Sequence, residues 1–138
     1  MHLLMDGFGG DVKNMKDEEF VYRFLDVFPS EIGMNKISTP HVTTYRGFKD
    51  EDWGVSGFVL IAESHISVHT FPERSYVNID VFSCKDFNHE QALAQIRETF
   101  SLEQVKHWLI GRGLDYSRPK SRAPISRGQA KAVLNGEN

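Results

Sequence analysis

The chain has 138 residues, 40% of them hydrophobic, and a formal net charge of −3. That length bounds it to one globular domain with a modest core, and no segment approaches the roughly 20 apolar residues of a membrane span. The mild negative charge gives no general reason to expect nucleic acid as a partner. One cysteine, Cys84, excludes an internal disulfide and any multi-cysteine zinc site.

The first residues, Met1 to Asp6, lack the basic start, long apolar run and small-residue cleavage site of a signal peptide, so a cytoplasmic location is the default expectation. Residues 2–7 predict a strand, closed by Gly7-Phe8-Gly9-Gly10. A helix is expected from about Asp17 to Phe28, because Phe20, Phe24, Val27 and Phe28 recur at helical spacing and three acidic residues suit its first turn. Pro29 is expected to end it. His41 to Tyr45 reads as another strand, and 54–62, 65–71 and 76–84 as three more, each rich in Val, Ile, Phe or Tyr with period-two alternation.

Asn88 can cap a second helix, with Gln91 at the capping-box position and Leu93, Ile96 and Phe100 on one face. Val105 to Ile110 resembles a last strand before Gly111-Arg112-Gly113. This order predicts an α+β fold, a two-layer sandwich whose antiparallel sheet carries two helices packed on one face. The domain spans 1–117. Residues 118–138 hold Arg118, Lys120, Arg122, Arg127 and Lys131 against Glu137 alone, with two prolines and two glycines, and read as a flexible, solvated basic tail.

Short connections fix an expected register. If Glu63-Ser64 is a two-residue hairpin loop, Ser56 lies opposite Phe71 and Phe58 opposite His69. If the next turn runs through Pro72 to Ser75, 71 pairs with 76, 69 with 78, and 63 with 84, which brings Cys84 beside the Glu63-Ser64 turn. Ser56, Phe58, Ser67, His69, Phe71, Asn78, Asp80, Phe82 and Cys84 then share one face, and Val59, Ile61, Ile66, Val68, Val77, Ile79 and Val81 share the other. The aliphatic face should carry the helices. The face with reactive and aromatic side chains marks a site, and its apolar members call for a cover such as a symmetric homodimer.

A serine in a strained turn can attack the preceding carbonyl and convert the Glu63–Ser64 amide to an ester. Elimination then cuts the chain and leaves dehydroalanine, which loses ammonia to become a pyruvoyl group. Such a group condenses with a substrate amine and delocalises the electrons left when carbon dioxide departs, so no external cofactor is required. His69 suits proton transfer near neutral pH, a Cys84 thiol can protonate the decarboxylated carbon, and Ser56 can assist self-cleavage. His65 and His69 are four apart, a spacing that gathers ligands on a helix but not on a strand, so no metal is expected.

Gly54-Val55-Ser56-Gly57, Glu63-Ser64-His65, His69-Thr70-Phe71-Pro72-Glu73 and Asp80-Val81-Phe82-Ser83-Cys84 closely resemble the short prokaryotic S-adenosylmethionine decarboxylases, and the similarity extends over about residues 2–107. The resemblance implies a pyruvoyl cofactor derived from Ser64, a cleavage site between Glu63 and Ser64, processing roles for His69 and Ser56, and Cys84 as the catalytic acid. It also implies adenine stacking on Phe71, a ribose contact from Glu73, and a second ring at Phe48, for which Trp53 is a rival. The implied product is the aminopropyl donor for spermidine biosynthesis.

Two features depart from the family pattern. Asp50-Glu51-Asp52 replaces a more apolar segment, and Arg74-Ser75 replaces a glycine-containing turn. Acidic groups there suit the sulfonium of S-adenosylmethionine and equally the basic end of arginine or ornithine, so a pyruvoyl-dependent arginine or ornithine decarboxylase is the alternative. An unprocessed, non-enzymatic ligand- or partner-binding relative is a further one.

Overall fold

Period-two alternation decides this structure, because it gives a sheet with one face that must be covered by helices. The computed structural model describes residues 1–116 and 133–135. Strands β1 (His2–Phe8), β2 (His41–Arg46), β3 (Trp53–Ile61), β4 (Ser64–Phe71), β5 (Tyr76–Ser83), β6 (Gln104–Ile110) and β7 (Val133–Asn135) form one sheet in the order β2-β3-β4-β5-β1-β6-β7. All neighbours in it are antiparallel. Of the expected tail, 133–135 pair with β6, and the rest lies outside the described residues.

Val55, Val59, Ile61, Ile66, Val68, Val77, Ile79 and Val81 are buried on one face together with Leu3 and Met5. The short α1 (Val12–Met15), α2 (Glu18–Glu31) and α3 (His89–Thr99) supply the residues packed on them: Met15, Val21, Phe24, Leu25 and Phe28, then Ala92 and Ile96. Phe100, just past α3, meets Phe20 and Phe24 edge-on at centroid distances of 5.3 and 5.1 Å and so joins the two long helices. Each helix starts at an acidic or amide cap: Asp11, Asp17 and Asn88 accept hydrogen bonds from the backbone N–H groups of Lys13, Glu19 and Gln91. The sandwich expected from the alternating pattern is therefore present, with the aliphatic row inside. No helix among the described residues is long and apolar enough to cross a membrane.

Three local expectations need correction. Pro29 does not end α2, which continues to Glu31. Proline removes the hydrogen bond its own nitrogen would donate and crowds the carbonyl four residues earlier, and near this helix end that cost is met by other bonds: Ser30 Oγ donates to the Val27 carbonyl and Met34 N–H donates to the Pro29 carbonyl, closing the last turn around it. The single turn of α1 has too few residues to leave a periodic signal. The third correction is the register of the β3–β4 hairpin: its loop is Ala62-Glu63, flanked by the Ile61–Ser64 pair, so Ser56 faces His69 and Phe58 faces Ser67. The loop is drawn to that position by the chain before β2, where Asn35 takes both the Glu63 carboxylate and the Ala62 N–H. Because the shift in pairing is two residues, every side chain keeps its expected face. The β4–β5 register is as expected, with 71 opposite 76 and 69 opposite 78.

Glu63, Thr70 and Ser83 are the buried polar residues among those described, and Thr70 is the one that ties a helix to the sheet. Thr70 is 2% exposed, and its hydroxyl donates to the Met15 carbonyl at 2.8 Å and accepts from the Val55 N–H at 2.9 Å, tying α1 to β3 and β4. Thr70→Val keeps the shape and strands both partners, so it should lower the unfolding free energy by about 1–3 kcal/mol. Urea denaturation measures this, and an unchanged midpoint would show that the hydroxyl is dispensable.

Candidate active site

The peptide between Glu63 and Ser64 is held at three points. Glu63 is 7% exposed, and its carboxylate accepts from the Asn35 backbone N–H and side-chain amide, both at 3.2 Å. Its carbonyl oxygen accepts from the Cys84 N–H at 2.9 Å. Ser64, paired with Ser83 in the ladder, has φ +155°, a positive value that L-residues rarely adopt. A carbonyl polarised by a backbone donor, followed by a hydroxyl residue in strained backbone, is the local geometry that an attack of the hydroxyl on that carbonyl requires.

Asn35 is the residue that sequence reasoning missed here. It lies 28 positions before Glu63, and nothing in its neighbourhood announces the contact. Cys84, half-buried, follows directly on β5 and holds the Glu63 carbonyl through its own backbone. The expected proximity of Cys84 to the Glu63-Ser64 turn is present in this geometry.

Ser56 and His69 form a second centre. Their direct cross-strand pairing brings Ser56 Oγ to 2.9 Å from His69 Nδ1. His69 is exposed on the outer face of the sheet, opposite Asn78, whose amide bonds Asp6 and the Tyr76 hydroxyl. The register correction makes this contact, since a loop at Glu63-Ser64 would have set Ser56 against Phe71.

Phe71 lies two positions beyond His69 and stacks on Tyr76 at 5.4 Å, which stacks in turn on Phe8 at 5.0 Å. Glu73, in the turn after β4, accepts from the Trp53 indole N–H at 3.1 Å. The Trp53 ring is flanked by Arg46 and Lys16, at 5.0 and 5.8 Å from its centroid, and is thus already engaged by cations. Phe48, in the β2–β3 loop, is wholly exposed. Of the two ring candidates, Phe48 is the one with an open surface.

These residues divide between two ends of the sheet. Glu63, Ser64 and Cys84 lie at one end, and Ser56, His69, Phe71 and Glu73 toward the other. Ser64 and His69 are five positions apart on one extended strand, about 17 Å at about 3.4 Å per residue. Phe71 is roughly 24 Å from Ser64 by the same measure. Within one chain, His69 cannot exchange a proton with Ser64.

On the outer face Phe58 and Leu60 are 44% and 43% exposed, with Phe71, Tyr76 and Phe82 half-buried around them. An apolar stretch of this kind on a sheet without helices is a surface that a further layer would cover.

Comparison with known proteins agrees with the resemblance carried by the motifs. The family model for S-adenosylmethionine decarboxylase matches residues 1–113. The S-adenosylmethionine decarboxylase proenzyme of Archaeoglobus fulgidus is 33% identical over 113 residues, covering 81% of this chain and 96% of that protein. The proenzyme of the same name from Thermococcus kodakarensis is 41% identical over 81 residues, 58% of this chain and 57% of that one. The crystal structure of the adenosylmethionine decarboxylase from Aquifex aeolicus superposes with a TM-score of 0.62 at 28% identity, covering 77% of this chain and 83% of the other. With a family match over nearly all of the described residues and a fold shared with a solved member, this chain belongs to the S-adenosylmethionine decarboxylase family.

Proposed function

We propose that the chain is a proenzyme that cuts itself between Glu63 and Ser64 and then decarboxylates S-adenosylmethionine, at sites assembled from two copies. The observation that carries this reading is the Glu63–Ser64 peptide, whose carbonyl is held by the Cys84 N–H and whose serine has φ +155°.

Cleavage begins when Ser64 Oγ attacks the Glu63 carbonyl carbon. The Cys84 N–H stabilises the charge that develops on the oxygen, and collapse toward the freed amine leaves an ester. Loss of the Ser64 α-proton and departure of the ester's acyloxy group as the new main-chain carboxylate of Glu63 cut the chain, and the resulting dehydroalanine takes up water and releases ammonia. Once formed, the pyruvoyl carbonyl supplies the electrophile that accepts the electrons released as carbon dioxide leaves. Cys84, one position beyond the ladder partner of Ser64, is placed to return a proton to the carbon that has lost its carboxylate.

The proton transfers of processing fall to Ser56 and His69. With Nδ1 bound to Ser56, Nε2 is the nitrogen of His69 that exchanges protons. Because this pair stands about 17 Å from Ser64 along β4, it serves the Ser64 of a second chain. A two-fold axis through the outer face sets two such sheets against each other, brings each chain's Ser64 end toward its partner's His69 end, and covers Phe58 and Leu60. Phe71, Glu73 and Phe48, near His69, would then hold the adenosine of a substrate whose amino-acid end reaches the partner's Ser64. Stacking and charge-assisted hydrogen bonding suit those residues to that role.

Three outcomes follow. Ser64→Ala and His69→Ala chains, made separately, should stay uncleaved; co-expressed, the His69→Ala chain should be cut, because its Ser64 meets an intact His69 across the interface. Mass spectrometry of the mixture reads this, and cleavage absent from the mixture would rule out the shared site. Cys84→Ala should still be cut, keeping its backbone N–H, yet release carbon dioxide from S-adenosylmethionine about 10²- to 10⁴-fold more slowly; full turnover would remove Cys84 as the acid. Asn35→Ala should slow cleavage roughly tenfold, as expected for about 1.4 kcal/mol lost from the transition state, in a time course of fragment formation.

A further inference from the structure

The outer face beside the Glu63–Ser64 turn carries a group of side chains with no part in the steps above. His65, Phe82, His2 and Ile110 form one row across β4, β5, β1 and β6. Arg112, in the segment after β6, lays its guanidinium over the Phe82 ring, 4.0 Å from the centroid. Arg112 Nη1 is 3.4 Å from His2 Nδ1. A guanidinium only donates, so His2 accepts at Nδ1, is neutral, and carries its proton on Nε2. Burial pushes the pKa of His2 below its ordinary value, which keeps the accepting form populated.

The backbone brings this cation to the chemistry. Gly113 has φ +77°, and a Cβ built on it would stand 3.4 Å from the Phe82 ring and 3.5 Å from the Cys84 Cα. The Arg112-Gly113 segment therefore runs in van der Waals contact with Cys84, and the positive φ at 113 would strain any residue but glycine. Arg112 itself is exposed, with one face on a ring and one nitrogen on His2, so its other donors are held in a fixed direction and open to a ligand. The planar fork of an arginine suits a carboxylate bound through two oxygens.

In an amino-acid substrate the carboxylate shares its carbon with the amine. A substrate whose amine reaches Ser64 and whose α-carbon is protonated by Cys84 thus has its carboxylate within two bonds of both. We infer that Arg112, steadied by Phe82 and His2, holds the α-carboxylate of the substrate and orients the bond that breaks. This rests on the decarboxylase reading above. His2 acts here as a positioning residue. The contact is made to a charge that leaves with carbon dioxide, so it belongs to substrate binding more than to the transition state.

The test uses the processed, full-length enzyme and its Arg112→Ala and Arg112→Lys variants. Cleavage is followed by mass, KM and kcat are measured with S-adenosylmethionine, and affinity for the decarboxylated product, which lacks the carboxylate, is measured by calorimetry. Arg112→Ala should raise KM at least tenfold with a smaller change in kcat, and leave product affinity within about twofold of the parent. Arg112→Lys, which keeps the charge and loses the fork, should fall between; if Arg112→Ala is not cleaved, Arg112→Lys carries the comparison with the same expected selectivity. His2→Ala, which removes the acceptor that steadies Arg112, should raise KM with little change in kcat, and His2→Gln, which keeps an acceptor, should recover most of that loss. An equal loss of affinity for substrate and product, or no loss for either, overturns the inference while leaving the decarboxylase reading in place. A cleaved parent enzyme that releases no carbon dioxide from S-adenosylmethionine overturns that reading, and this inference with it.

Discussion

Asn35 donates its backbone N–H and side-chain amide to the Glu63 carboxylate and accepts at its carbonyl from the Ala62 N–H, and these bonds fix where the chain reverses between β3 and β4. That reversal sets which residues of the two strands face each other. With the loop at Ala62-Glu63, Ser56 meets His69 and Ser64 becomes the first residue of β4, forced into positive φ as the strand leaves the turn. The same loop points the Glu63 carbonyl at the Cys84 N–H. A carboxylate bonded to a distant amide thus sets both halves of the candidate chemistry, and the aliphatic inner face holds the arrangement rigid by burying every second residue against the helices.

Rigidity has a geometric consequence. A strand cannot bend its sixth residue back onto its first, so Ser64 and His69 of one chain stand about 17 Å apart, although they share a short motif. The two-fold arrangement proposed above would resolve this and would also cover the aromatic and aliphatic side chains left outside the helices. Exposure of Phe58 and Leu60 and separation of the two centres are independent observations that the proposed assembly would answer together.

Much of this was legible in the amino-acid order, for reasons that can be named. Period-two alternation from Ser56 to Cys84 sorted every side chain to its face, and the Pro72–Ser75 turn gave the β4–β5 register directly. The β3–β4 register was not legible, because both Ala62-Glu63 and Glu63-Ser64 are plausible loops and the residue that decides between them, Asn35, is remote in sequence. Its two-residue error preserved the faces and hid the Ser56–His69 contact. Pro29 misled because its usual effect on helices is weaker in a last turn closed by Ser30 and Met34. Arg112 gave no signal of its own, since a lone arginine between two glycines takes on meaning only when Phe82 and His2 are seen beneath it.

The proposed function requires that this chain make its own electrophile at Ser64. A denaturing mass spectrum of freshly purified protein tests it most directly. Two fragments are expected, residues 1–63 and 64–138, the second lighter by the loss of ammonia from its new terminus and reactive toward hydroxylamine. An intact chain that persists through prolonged incubation, with no adduct, would contradict it.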